Sequence, residues 1–165
     1  MDAQSIIEHY GLKPHPEGGF YCRTYAATFP VTYCQKTRPV STAILFLLKA
    51  GQYSRLHRLP QDEMWHFYLG DPLRLVVLTA EGSREVILGH DIQANQYLQY
   101  SVQGGAWFGA KPATGSAYSF VGCTVSPGFM MEDLELGEQD SLLAKYPEAA
   151  ALIKEFSPPS TKLIS

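Results

Sequence analysis

A histidine and a glutamate six positions apart, His57 and Glu63, are the side chains best placed to do chemistry. Both lie in residues 51–70, GQYSRLHRLPQDEMWHFYLG, a stretch that opens and closes on glycine. Strand alternation puts Arg55, His57 and Leu59 on one face. On the next strand it groups Glu63, Trp65 and Phe67, with Met64, His66 and Tyr68 opposite. Should the two strands pair across Pro60-Gln61-Asp62, His57 and Glu63 face one cavity. A carboxylate beside an imidazole fixes its tautomer and raises its basicity. Such a pair suits general-base work or half of a metal site, and it also suits a purely structural hydrogen bond.

The elements that must hold this pair are mostly strands. Residues 2–10 read as a short amphipathic helix, with Ile6, Ile7 and Tyr10 as its stripe and Gly11 as its stop. Pro14 and Pro16 force extended backbone, and Gly18-Gly19 permit a sharp turn or a close approach of main chains. Strand-like runs follow at 20–29, 40–48, 52–59, 63–69, 73–79, 84–88, 96–102, 107–111 and 118–125, with a loop expected over 30–39. Turn signals recur about every ten residues, which suits a sandwich or barrel. Residues 139–156 read as helical, with Asp140 as N-cap and Pro147 opening a second helix.

The chain has 165 residues and a formal net charge of −3, so it carries no basic nucleic-acid footprint. One domain is expected, with a core over about 17–130, a helical tail over about 131–156 and a loose end over about 157–165. Aromatic residues make up 12% and need a sheet to bury them. The three cysteines show no disulfide or zinc spacing. With no apolar run near the ~18–20 residues of a membrane span and no signal-like start, a cytoplasmic protein is expected.

The spacing of Gly51, His57, Glu63 and Gly70 resembles the first motif of the cupins, with Leu59 where a second histidine usually stands. The nearest match to the second cupin motif is Gln103-Gly104-Gly105-Ala106-Trp107-Phe108, in which Gln103 and Phe108 replace a proline and a histidine. A narrower group, the Cupin-five branch, is similar across the chain. The matching segments include Pro16-Glu17-Gly18-Gly19-Phe20, Ser41-Thr42-Ala43-Ile44, residues 63–70, Gly105-Ala106-Trp107 and Gly122-Cys123-Thr124-Val125-Ser126-Pro127-Gly128-Phe129. This resemblance implies a mainly β fold, a double-stranded β-helix (jelly-roll barrel) with a short N-terminal helix and C-terminal helices. It also implies a homodimer.

For function, the expectation is a small-molecule-binding barrel. His57 and Glu63 form its polar core, and Phe20, Arg23, Arg55, Trp65, Phe67 and Trp107 complete the wall. Aromatic walls favour a planar ring or a sugar face, and an arginine can hold a carboxylate or phosphate. No cofactor is favoured. A divalent metal on His57 and Glu63 stays open, but a catalytic metal generally needs three protein ligands. One alternative is a metal-independent sugar or sugar-nucleotide epimerase or isomerase, with His57 as base, Glu63 orienting it, and Tyr118 or Tyr68 as acid. A metal-dependent enzyme is the other. His9, His15 and His90 are expected to be exposed, and Pro16-Glu17-Gly18-Gly19 to be structural.

Overall fold

The computed structural model describes residues 2–158; most of the expected loose end, 159–165, lies outside the described residues. Helix α1 (Ala3–Tyr10) begins at Asp2, whose carboxylate accepts from the Ser5 amide, and stops at Gly11 in the left-handed region, φ 61°. Thirteen strands follow. They are β1 (Lys13–Pro14), β2 (Phe20–Ala26), β3 (Pro30–Tyr33), β4 (Lys36–Pro39), β5 (Thr42–Lys49), β6 (Ser54–Arg58), β7 (Asp62–Gly70), β8 (Leu73–Thr79), β9 (Gly82–Leu88), β10 (Gln99–Val102), β11 (Trp107–Pro112), β12 (Tyr118–Ser126) and β13 (Glu135–Leu136). Helices α2 (Gln139–Lys145) and α3 (Ala150–Phe156) end the described chain.

The strands form a six-stranded sheet, β1-β2-β5-β12-β7-β10, and a five-stranded sheet, β13-β6-β11-β8-β9. Their inward faces share the main core. Phe46, Trp65, Phe67 and Val121 come from one sheet, and Leu75, Val77 and Phe108 from the other. Alternation explains why β5 and β8 are apolar on both faces. In β5, Phe46 and Leu48 point into this core, while Leu47 packs under α1 with Ile6 and Phe120. In β8, Val76 and Leu78 face outward and meet Leu142, Ile153 and Phe156 of α2 and α3. The helices therefore cover the outer faces, where strand side chains would otherwise meet water.

The structure departs from the sequence expectations at three places. Residues 30–39 are not a plain loop but the β3–β4 hairpin, closed by Cys34 and Gln35 at φ 50° and 62°. Positive φ at both central residues marks a primed hairpin turn, usually signalled by Asn-Gly or Asp-Gly, and neither is present. The N-cap of α2 is Glu138 rather than Asp140. Most consequentially, β6 and β7 do not pair across Pro60-Gln61-Asp62: they belong to different sheets. His57 pairs in register with Phe108 of β11, and Glu63 with Val125 of β12.

Candidate functional site

Placing β6 and β7 in opposite sheets still brings His57 and Glu63 to one cavity, from two sides. The cavity is about 740 Å³ and also takes in His15, Glu17, Tyr21 and Cys123. Its outer wall is the segment after β12, through Phe129, Met130, Met131 and Leu134. That size lies within the ~300–1,000 Å³ of ligand sites.

The carboxylate partner of His57 is Glu17, not Glu63. His57 Nδ1 lies 2.6 Å from the Arg55 carbonyl, which can only accept, so Nδ1 carries the proton. Nε2 then faces Glu17 Oε2 at 3.1 Å. Burial pushes His57 down to about 4, and burial pushes the Glu17 carboxyl up. Both shifts favour the neutral pair, in which protonated Glu17 donates to His57 Nε2. The other carboxyl oxygen, Oε1, accepts from Ser54 Oγ at 2.9 Å. One proton is thus shared between two side chains that the chain separates by forty positions.

Glu17 reaches this position because residues 15–19 form a strap across the gap between the sheets. The Glu17 carbonyl accepts from the Arg55 amide at 2.7 Å, and the Gly18 amide donates to the His15 carbonyl at 3.0 Å. Gly18 has φ 113°, and a Cβ there would stand 2.2 Å from the Tyr53 carbonyl oxygen. Only glycine allows the strap to lie so close. The strap also buries His15, whose side chain is 6% exposed, against the edge of Tyr21 at 4.5 Å. The Glu17 amide donates to His15 Nδ1 at 3.3 Å, and burial lowers the pKa of His15.

Glu63 stands across the cavity beside the Cys123 thiol. Burial, then the nearby Glu17 charge, push its carboxyl up to about 8, while hydrogen bonding from Cys123 opposes this weakly. Burial also holds the Cys123 thiol well above its ordinary range. Glu63 is therefore mostly protonated at neutral pH. The cavity thus holds a protonated Glu63, a neutral His57 imidazole and a Glu17 carboxyl that shares a proton with that imidazole.

The remaining expected residues divide between the cavity and elsewhere. Arg23 lines the cavity and leans on Phe129, with Nη2 3.4 Å from the Phe129 carbonyl. Trp65 and Phe67 do face the interior, but in the main core rather than on the cavity wall. Trp65 meets Phe46 and Phe108 edge-on, and its indole N–H is buried without an acceptor among the described residues. Arg55 does not line the cavity. Phe20 is not on the cavity wall either; it packs outside with the α1 cluster, under Lys49. Trp107 faces away, packed under α2 and α3 with Arg58 over its ring, because Phe108 takes the inward position. Tyr68 lies on the outer face against Gly122, and Tyr118 packs over Gly70. Neither tyrosine lines the cavity; Tyr21 does. His66 points outward, with Nε2 3.0 Å from Thr124 Oγ1 and Nδ1 2.9 Å from the Gln99 amide nitrogen.

Sequence reasoning missed Glu17, His15 and Tyr21 as site residues. The available signal was the glycine pair after Glu17, which marks a close main-chain approach without saying what it approaches. Missing too was the wall at 129–134, which carries no polar motif.

The cupin resemblance would place metal ligands at His57, Leu59, Glu63 and Phe108, and these residues do not fit a metal. Two are hydrocarbon. The third, His57, uses Nδ1 on a carbonyl and Nε2 on Glu17, and its ring lies against Phe108 at 4.1 Å. Among the described residues no group of three or more His, Cys, Asp or Glu side chains is disposed to hold a metal ion.

With this geometry in hand, the comparisons are consistent. No curated protein matches the sequence at a significant level. The solved structure of a hypothetical protein from Leishmania major has a TM-score of 0.89 and 36% identity, covering 95% of this chain and 99% of that one. A protein from Shewanella oneidensis gives 0.89 and 37%, covering 97% and 99%. A cupin 2 domain-containing protein from Halorhodospira halophila shares the fold at 13% identity and a TM-score of 0.59, covering 90% and 88%. The family model described as Cupin superfamily (DUF985) matches residues 4–137, and the chain belongs to that family.

Proposed function

We propose that this protein binds a small molecule in the cavity between its sheets, with Glu17, His57 and Glu63 as the polar contacts. The observation that carries this reading is one cavity of about 740 Å³ into which two buried carboxyls and a buried imidazole face together. Buried polar groups are expensive to keep, and structural ones are normally tied to fixed partners. Glu63 is tied only to a weak thiol donor. The strand order of the two sheets supports reading them as the halves of a jelly-roll barrel, with the cavity at one end.

A thermal-shift screen of small polar metabolites tests the reading. A ligand at ~100 times its dissociation constant adds ~2.7 kcal/mol of stability. The expected result is a hit that raises the melting temperature and fails to do so in His57→Ala and Glu63→Gln. A hit that shifts both variants like the parent protein binds elsewhere and sinks the assignment.

One specific observation favours a second reading, proton transfer on a carbonyl compound. A protonated acid, Glu63, and an imidazole that shares a proton with Glu17 face each other across the same space. Groups whose environments push their pKa values apart divide naturally into acid and base. Glu17 would pass its proton to His57 Nε2, and the carboxylate so formed would accept a carbon-bound proton while Glu63 protonates the carbonyl oxygen. Incorporation of solvent deuterium into a panel of ketoses and oxo acids is the check. No incorporation anywhere in the panel counts against this chemistry and leaves binding untouched.

A further inference from the structure

The floor of the cavity is lined by carboxyls and the rim by cations. On the floor, Glu63 is 6% exposed and Glu17 likewise, close enough that a charge on Glu17 disfavours one on Glu63. Among the described residues neither carboxyl has a lysine or arginine partner. Glu63 has no hydrogen-bond donor beside it except the Cys123 thiol. At the rim are Lys13 and Arg23, both exposed. Between floor and rim the walls are aromatic and aliphatic: Tyr21, Ile44, Val125, Phe129 and Met130.

Sheet register fixes the span. Arg23 pairs with Ile44, Ile44 with Cys123, and Cys123 with Trp65, all in one row across β2, β5, β12 and β7. Three inter-strand steps of ~4.8 Å separate the Arg23 and Trp65 backbones by roughly 14 Å. Glu63 is the next inward position along β7. Two long side chains reaching inward from the ends of that span leave room for a short chain of carbon atoms between their charged heads.

We propose that the cavity takes a small amine that also bears a carboxylate: the ammonium group sits on the buried carboxyls of Glu63 and Glu17, and the carboxylate meets Arg23 and Lys13 at the rim. The proposal rests on the binding reading above and names the ligand class for the same site. An ammonium group supplies the donors and the positive charge that the floor lacks, and charge-assisted hydrogen bonds are roughly twice as strong as neutral ones. Aromatic residues in the lining, Tyr21 and Phe129, are compatible with a cation, and Phe129 already holds Arg23 over its ring. Since Glu63 is mostly protonated before binding, the complex forms with loss of a proton from the floor to solvent.

Isothermal titration calorimetry at pH 7 with four probes of one length tests this: 6-aminohexanoate, hexylamine, hexanoate and 1-hexanol. The expected order puts 6-aminohexanoate first, about tenfold or more tighter than hexanoate or hexanol. Its binding enthalpy should differ between phosphate and MOPS buffers, reporting close to one proton released. Glu63→Gln, which keeps the shape, should lose that buffer dependence and most of the affinity. Arg23→Ala, on an exposed strand position, should weaken 6-aminohexanoate roughly threefold and leave hexylamine unchanged. Hexanoate or hexanol binding as tightly as 6-aminohexanoate overturns the proposal, as does binding without proton release or an unaltered Glu63→Gln. Failure of all four probes at millimolar concentration overturns it too. In that event a hit from the metabolite screen keeps the binding reading, and an empty screen removes both.

Discussion

Glu63 and His57 pull the stability of the molecule in opposite directions with pH. The Glu63 carboxyl is raised to about 8 from 4.5, so its contribution is fully present below about pH 4.5 and is lost as pH rises towards 8. His57 is lowered to about 4 from 6.5, so its contribution is present above about pH 6.5 and is lost as pH falls towards 4. Glu17 adds to the Glu63 direction and His15 to the His57 direction. Between about 4.5 and 6.5 the opposing slopes largely cancel, leaving a plateau. Above it, stability should fall by up to ~1.4 kcal/mol per pH unit for one such group. Melting temperatures from pH 4 to 8.5 check this. Glu63→Gln should flatten the alkaline limb and turn the plateau into a rise with pH, because the His57 slope is then unopposed. An alkaline limb of unchanged slope in that variant would show that Glu63 is not the group titrating. At this scale the sequence was half legible. His57 and Glu63 stood out by type and spacing, but the partner of His57 did not. A pairing between residues forty positions apart depends on how a loop crosses a sheet, and no local pattern encodes that.

The strap at residues 15–19 and the wall at 129–134 are the elements that shape the site, and each rests on one demanding contact. For the strap it is Gly18, hard against the Tyr53 carbonyl. Gly18→Ala should lower stability by about 2 kcal/mol more than Gly115→Ala, whose glycine also has a positive φ but opens onto free space. Denaturant midpoints of the two variants provide the comparison. For the wall the contact is Arg38, whose buried guanidinium pairs with Asp133 and donates to the Gly128 carbonyl at 3.3 Å. Gln61 Nε2 donates to the same Asp133 at 2.9 Å, and the ring of Tyr33 lies beneath Arg38. Removing one member of a buried ion pair strands the other. Arg38→Met is therefore expected to destabilise by roughly 3–5 kcal/mol by stranding Asp133, and Asp133→Asn by a similar amount by leaving the buried Arg38 cation unpaired. Losses under about 1 kcal/mol in both variants would argue against the charge pair. Strand existence was readable from short apolar runs in β5 and β8 and from alternation in β7, each bounded by turn signals. Strand partnership was not: the short 60–62 turn suggests a hairpin, yet the chain uses it to change sheets. The face of Trp107 was lost for a related reason. Both it and Phe108 are large and apolar, and only α2 and α3, packed on the outside, decide which one turns away.

At the scale of the molecule, three apolar clusters hold two sheets and two sets of helices together, and the charged contacts are secondary. Lys111 Nζ and Arg74 Nη1 meet Glu155 of α3 at 2.8 and 2.7 Å, and Arg74 also pairs with Glu85. Half-exposed pairs of this kind contribute ~0–1 kcal/mol each. Anchoring of the C-terminal helices falls instead to Leu142, Ile153 and Phe156. Among the described residues no helix is long and apolar enough to cross a membrane. The cavity belongs to neither sheet alone. One part of its lining comes from residues 11–23 and another from residues 129–134, which are more than a hundred positions apart. A ligand held there touches both ends of the folding unit at once. Its arrival should therefore register as slowed amide hydrogen exchange in two places, residues 13–19 and 129–134, with the β8–β9 hairpin unchanged. On the binding proposal the site would act as a clasp between two distant segments, with occupancy readable from the backbone without knowing what the ligand does.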